Sequence, residues 1–167
     1  MNILITGFRG TGKTATGEIL ARRMKKEFID TDKEIEKQTG MRINEIIWKK
    51  GWEWFRGIEK RILMDALRKE AVIAAGGGAL TENNIRIGKK KTKVILLTAD
   101  TLTISKRIAE SHRPSLTGKG TLKEIEEVLK KREKKYMEAA DAIIDTTEAN
   151  QEEVAKLIEN FINARST

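Results

Sequence analysis

Cysteine is absent from this chain of 167 residues, proline occurs once, and aromatic residues make up 5% of it. Without cysteine there are no thiolate zinc sites, no iron–sulfur clusters, no thiol catalysis and no disulfide framework. The longest apolar runs, 71–75 and 94–97, fall far short of the roughly 18 residues that a membrane-spanning helix needs. Residues 2–6 read as a strand straight after Met1, with no charged lead, no longer apolar core and no cleavage site. The expectation is therefore a cytoplasmic protein without membrane association. Scarce aromatics, with no basic segment interleaved with them, speak against a surface that stacks nucleic-acid bases.

Charge is what the chain has in quantity. Lys and Arg number 33 against 25 Asp and Glu, a formal charge of +8, which suggests an anionic partner. The basic clusters at 22–26, 89–93 and 130–135 are short and mostly adjoin Glu, so solvated helix faces account for them. Abundant Lys and Glu with only two Gln also lean toward a thermophile surface. The length fits one domain able to bury a core unaided.

Short β-rich runs at 2–6, 27–29, 71–75, 93–98 and 142–144 alternate with helical patterns at 13–26, 52–68, 121–138 and 151–163. That alternation predicts an α/β protein with a parallel sheet covered on both faces. The segment 111–120 holds the sole Pro, two Gly, Arg113 and Lys119. It reads either as an exposed connection or as a lid over a site.

Residues 7–14, Gly-Phe-Arg-Gly-Thr-Gly-Lys-Thr, satisfy G-x-x-x-x-G-K-[ST] between a strand and a helix pattern. In such a loop glycines let backbone N–H groups turn toward phosphate, and the helix N-terminus adds partial positive charge. Gly10, Thr11, Gly12, Lys13, Thr14 and Thr16 are the nucleotide-binding candidates; Lys13 reaches the β- and γ-phosphates and Thr14 ligates Mg²⁺. Asp30 and Asp32 follow the second strand, at the sheet edge where ligands bind. One acid can hold Mg²⁺ through water and the other can orient an attacking hydroxyl or take its proton. A helix N-cap is the structural alternative for either.

Arg56 and Glu59 fall within or beside the apolar stripe of 52–68, and Arg132 does the same on 121–138. A buried Arg needs a partner, so these are either core ion pairs or arginines aimed at an acidic small ligand. Gly76, Gly77 and Gly78 end the third strand, where they give a ligand close approach to the main chain or simply make a flexible turn.

Taken in order, the phosphate loop, Asp30-Thr-Asp32, Phe55-Arg56 with Glu59, the glycine triplet, Arg113-Pro114, and Arg132 with Tyr136 make the chain resemble the shikimate kinases, small P-loop kinases of the nucleoside-monophosphate-kinase type. The resemblance implies a three-layer α/β/α fold with a five-stranded parallel sheet, helices on both faces and a mobile lid. It implies one domain over 1–167, with the shikimate-binding region at about 31–60 and the lid at about 111–120. The implied reaction is transfer of the ATP γ-phosphoryl to the 3-hydroxyl of shikimate, with Mg²⁺ as cofactor, by a monomer. Lys13, Asp32 and Arg113 would be catalytic, while Lys13 and Thr14 would serve ATP and Mg²⁺, with Asp30 tied to the metal shell. Asp32, Arg56, the triplet and Arg132 would bind shikimate, with both arginines on its carboxylate, and Arg107 would lie near adenine. Trp52 and Trp54 stand where such kinases more usually have polar residues. Two other readings remain: a kinase of another small polyol acid such as gluconate, and a basic binding module switched by nucleotide.

Overall fold

The computed structural model describes residues 1–79, 91–110 and 121–164. Five strands, β1 (Asn2–Gly7), β2 (Glu27–Asp30), β3 (Ala71–Ala74), β4 (Thr92–Thr98) and β5 (Ala142–Asp145), form one sheet in the order β2-β3-β1-β4-β5. All four pairings are parallel. Among the described residues there are six helices: α1 (Lys13–Met24), α2 (Thr31–Thr39), α3 (Ile43–Ala66), α4 (Thr101–Glu110), α5 (Thr121–Ala139) and α6 (Gln151–Ala164). None of them is long and apolar enough to cross a membrane.

The pleat sorts the strand residues between two cores, because successive side chains point to opposite faces. Ile3, Ile5, Val72, Ile95 and Leu97 join Leu20 of α1 and Val154 and Ile158 of α6. Their neighbours Leu4, Ile73, Val94 and Leu96 join Leu63 of α3 and Tyr136 of α5 on the other face. The result is the expected three-layer fold, whose strands are near-continuous apolar runs because both faces are covered. Two satellite clusters flank it. Ile35 of α2 packs with Ile46, Phe55, Ile58 and Ile62 of α3, and Phe8 of the phosphate loop packs with Ile104, Ile108, Ile125 and Val128.

The strands match the sequence reading to within a residue: β1, β2 and β5 extend one further at their ends, β4 begins at Thr92, and β3 stops at Ala74. Helices depart from it more. α2, α4 and the first part of α3 went unread, and α3 ends at Ala66, two residues before the expected boundary. Gly51 breaks α3 with φ 84 and ψ 168, so a short first segment, whose Ile46 is fully buried, precedes the longer periodic one that begins at Trp52. The proposed lid 111–120, with Arg113, lies outside the described residues.

Candidate active site

The phosphate loop leaves the carboxyl end of the central strand β1. Gly10 at φ 85 and Gly12 at φ 89 hold left-handed backbone, a conformation that costs other residues free energy and gives the loop its inward turn. Lys13 Nζ donates to Phe8 O at 3.0 Å, so the ammonium lies folded over its own loop. Thr16 is fully buried and its hydroxyl has no hydrogen-bond partner.

Asp30 serves two elements at once. Its Oδ1 accepts from the amides of Asp32 and Lys33 at 3.0 and 3.2 Å, capping α2. Its Oδ2 accepts from the Thr14 hydroxyl at 2.6 Å. Of the two acids, then, Asp30 is the helix cap, and Asp32 stands in the first turn of α2 without that task. The Thr14 hydroxyl and Asp30 carboxylate form a hard-oxygen pair beside the phosphate loop, a donor set that suits Mg²⁺ sharing its remaining positions with water and phosphate.

The glycine triplet gathers the remaining candidates. A Cβ on Gly76 would stand 2.7 Å from Glu59 Oε1 and 3.0 Å from Asp32 Oδ1. One on Gly77 would stand 2.9 Å from the Tyr136 hydroxyl and 3.0 Å from both Arg132 Nη1 and Gly7 O. One on Gly78 would overlap the Arg56 guanidinium. The triplet is therefore a floor over which side chains from α2, α3 and α5 converge beside the phosphate loop. Thr31 Oγ1 anchors it by accepting from Gly76 N at 3.2 Å.

Arg56 is held on two sides. Its Nη1 donates to Glu59 Oε2 at 2.5 Å, and Glu59 is almost fully buried. The guanidinium also lies 5.2 Å from the Trp52 ring centroid and 5.3 Å from that of Phe55, within cation–π range. The ion-pair alternative raised by the sequence is thus realised: Arg56 has Glu59 as its partner, and its guanidinium lies against the triplet at Gly78. Across the floor, the Tyr136 hydroxyl donates to Gly77 O at 2.6 Å. Burial pushes this phenol above the usual tyrosine range, while the adjacent Arg132 guanidinium pulls the other way. The phenol keeps its proton as a donor at neutral pH.

Arg107 is engaged from behind the loop: it donates to Gly10 O at 3.2 Å and to the Thr146 hydroxyl and carbonyl at 3.1 and 2.8 Å. Sequence reasoning named neither Thr146 nor the structural parts of Thr31 and Tyr136. Arg9 of the loop pairs with the buried Glu124 of α5 at 2.7 Å. A cavity of about 490 Å³ lies along the edge strand β2, with Asp30 among its lining residues. Among its lining residues Lys33 pairs with Glu18 and Lys69 with Glu27, each at 3.0 Å.

The overlap at Gly78 makes a direct test of the floor. On the roles the resemblance implies, Gly78→Ala should displace the Arg56 guanidinium and raise the acceptor KM by about 10-fold or more while the ATP KM stays within a few fold. Steady-state kinetics with each substrate varied in turn reads both. Equal KM values in variant and wild type would remove Arg56 from the acceptor site.

A phosphate loop on the central strand of a parallel sheet ordered β2-β3-β1-β4-β5, with arginines and carboxylates gathered beside it, is the architecture of a P-loop kinase. The family model for shikimate kinase matches residues 9–163. The chain belongs to the shikimate kinase family. It is 43% identical to a shikimate kinase of Caldanaerobacter subterraneus subsp. tengcongensis over 158 residues, covering 93% of this chain and 92% of the relative. It is 37% identical to shikimate kinase 2 of Sodalis glossinidius over 165 residues, covering 96% of this chain and 95% of the other. Among solved structures, the shikimate kinase from Acinetobacter baumannii in complex with shikimate superposes with a TM-score of 0.91 at 32% identity, covering 98% of this chain and 93% of that one. Enzymes of this family are ATP-dependent kinases.

Proposed function

We propose that this protein transfers the γ-phosphoryl group of ATP to the 3-hydroxyl of shikimate, giving shikimate 3-phosphate and ADP. The observation that carries this reading is the convergence on one glycine floor of Asp32, Glu59, Arg56 and Arg132 beside the phosphate loop. Shikimate is a ring acid with neighbouring hydroxyls, and the floor offers it guanidinium groups for a carboxylate and carboxylates for hydroxyls.

Each part then has a task. The loop amides, with Gly10, Thr11, Gly12 and Thr16, hold the phosphates; Lys13 leaves Phe8 O and places its charge against the β- and γ-phosphates. Arg56 and Arg132 grip the acceptor carboxylate, and planar guanidinium forks suit that better than ammonium groups. Asp32 orients the attacking hydroxyl and takes its proton. Thr14 and Asp30 hold Mg²⁺, which when bound neutralises charge on the transferring phosphate. Arg113 supplies positive charge from the proposed lid at 111–120, and the face of Arg107 serves adenine. We read residues 1–167 as one kinase domain with its acceptor region at 31–60, acting as a monomer in the cytoplasm and engaging neither nucleic acid nor membrane.

A coupled assay offering ATP with shikimate, gluconate and nucleoside monophosphates in parallel tests the substrate. Turnover on shikimate alone is expected; a preference for gluconate or a nucleotide would overturn the assignment. Arg132→Lys isolates the geometry of carboxylate binding because charge is retained. Losing a charge-assisted bond costs about 1.5 to 3 kcal/mol, equivalent to a rise of roughly 10- to 150-fold in shikimate KM. The KM for ATP should move much less. A variant that only melts earlier, with both KM values intact, would make Arg132 a structural residue.

A further inference from the structure

A phosphate loop presents its amides to the ligand only if its carbonyls are held the other way, and buried carbonyls need donors. Three carbonyls of this loop have side-chain donors. Phe8 O accepts from Thr11 N at 3.3 Å, from Thr11 Oγ1 at 2.7 Å and from Lys13 Nζ at 3.0 Å. Gly10 O accepts from Arg107 Nη1 at 3.2 Å, and Thr11 O from Thr146 Oγ1 at 3.2 Å. The last two donors converge. Arg107 Nη1 also donates to Thr146 Oγ1 at 3.1 Å, and Nη2 donates to Thr146 O at 2.8 Å.

Thr146 follows β5 directly and is 3% exposed. Its amide donates to Thr98 O, at the end of the neighbouring β4, at 2.8 Å. Its hydroxyl lies 3.0 Å from that same carbonyl as well as 3.2 Å from Thr11 O. One hydroxyl carries one proton. Thr98 O already has the amide, so the proton does most on Thr11 O. Accepting from a guanidinium also polarises the hydroxyl and strengthens it as a donor. The chain of contacts thus runs from the ends of β4 and β5 through a single buried hydroxyl to the loop that follows β1.

We propose that Thr146 is a positioning residue for nucleotide binding. Its hydroxyl, clamped by Arg107, fixes the outward carbonyls of the phosphate loop and so aims the inward amides. The proposal rests on the reading that this loop binds nucleotide, and it assigns a task to a residue outside the phosphate loop and the glycine floor. Thr146→Val keeps the shape and removes the hydroxyl, leaving Thr11 O and Arg107 Nη1 each short of a partner.

Calorimetric titration of the full chain with ADP, paired with steady-state kinetics, tests it. Thr146→Val should weaken ADP binding and raise the ATP KM by about 10-fold, the scale of one buried acceptor left unpaired. The shikimate KM should stay within about twofold, and Thr146→Ser should recover ADP affinity to within about threefold. If the valine variant does not fold, Thr146→Ala, which brings no second methyl against the carbonyls, carries the same expectation. ADP affinity unchanged in the hydroxyl-free variant overturns the proposal. So does a matched rise in both KM values that Ser does not rescue. A wild-type chain that itself binds no ADP would instead overturn the nucleotide reading, and this proposal with it.

Discussion

Lys13→Met is expected to reduce turnover by at least about 10³-fold, the scale seen when a charge that stabilises the transferring phosphoryl is deleted. Methionine nearly matches the length of the lysine chain, so the substitution removes charge more than volume. The ammonium rests on Phe8 O at 3.0 Å, and the same carbonyl keeps two donors from Thr11. Losing Lys13 therefore leaves the loop tied, and the fold should survive. Circular dichroism and the melting temperature check that, and single-turnover phosphoryl transfer checks the chemistry. ADP binding should weaken far less than the rate falls, because the charge has its greatest value in the transition state. A folded variant within 10-fold of the wild-type rate would show that the loop holds something other than a reacting phosphate.

What could be read from sequence and what could not divide along physical lines. The strands are legible because a parallel sheet covered on both faces must be apolar on both, and runs such as 2–6 and 93–98 admit few other readings. The phosphate loop is legible because only glycine holds left-handed backbone cheaply where φ is 85 at Gly10 and 89 at Gly12. α2 was invisible for the opposite reason. It presents one fully buried apolar side chain, Ile35, amid charged residues, so no periodicity betrays it. α4 reads Thr-Leu-Thr-Ile, a strand-like opening, and becomes a helix because Asp100 caps it, accepting from Thr103 N at 2.6 Å.

The site divides in the same way. Charged residues in apolar stripes, Arg56 and Arg132, announce themselves because burial without a task would be costly. Their partners are less visible. Nothing in one sequence places Thr146 against a loop 135 residues away, since a buried threonine after a strand is ordinary composition. Nor does Trp52 declare that its ring lies over Arg56. Such residues act through contacts that the topology makes, and hydroxyls and rings suit many unrelated places.

Asp32→Asn should lower turnover on shikimate by about 10² or more while ADP binding stays within a few fold. The sequence leaves three tasks open for the acids after β2: capping a helix, holding Mg²⁺ through water and handling a hydroxyl. The structure assigns the first of them. Asp30 supplies the cap, accepting from the amides of Asp32 and Lys33, so exchanging the Asp32 carboxylate for an amide spares the N-terminus of α2. What it alters lies at the floor, where Asp32 and Glu59 approach Gly76 from two helices. Glu59 is paired with Arg56, and the proposed function gives the acceptor hydroxyl to Asp32. Asparagine keeps the size and can still accept a hydrogen bond, but it cannot take a proton at neutral pH. The loss should therefore appear in kcat, with the shikimate KM changing by less. A rise confined to that KM would make Asp32 a binding residue with no part in proton transfer. An unchanged rate would leave the attacking hydroxyl to lose its proton to solvent, and the reaction would then depend on the phosphate side of the site alone.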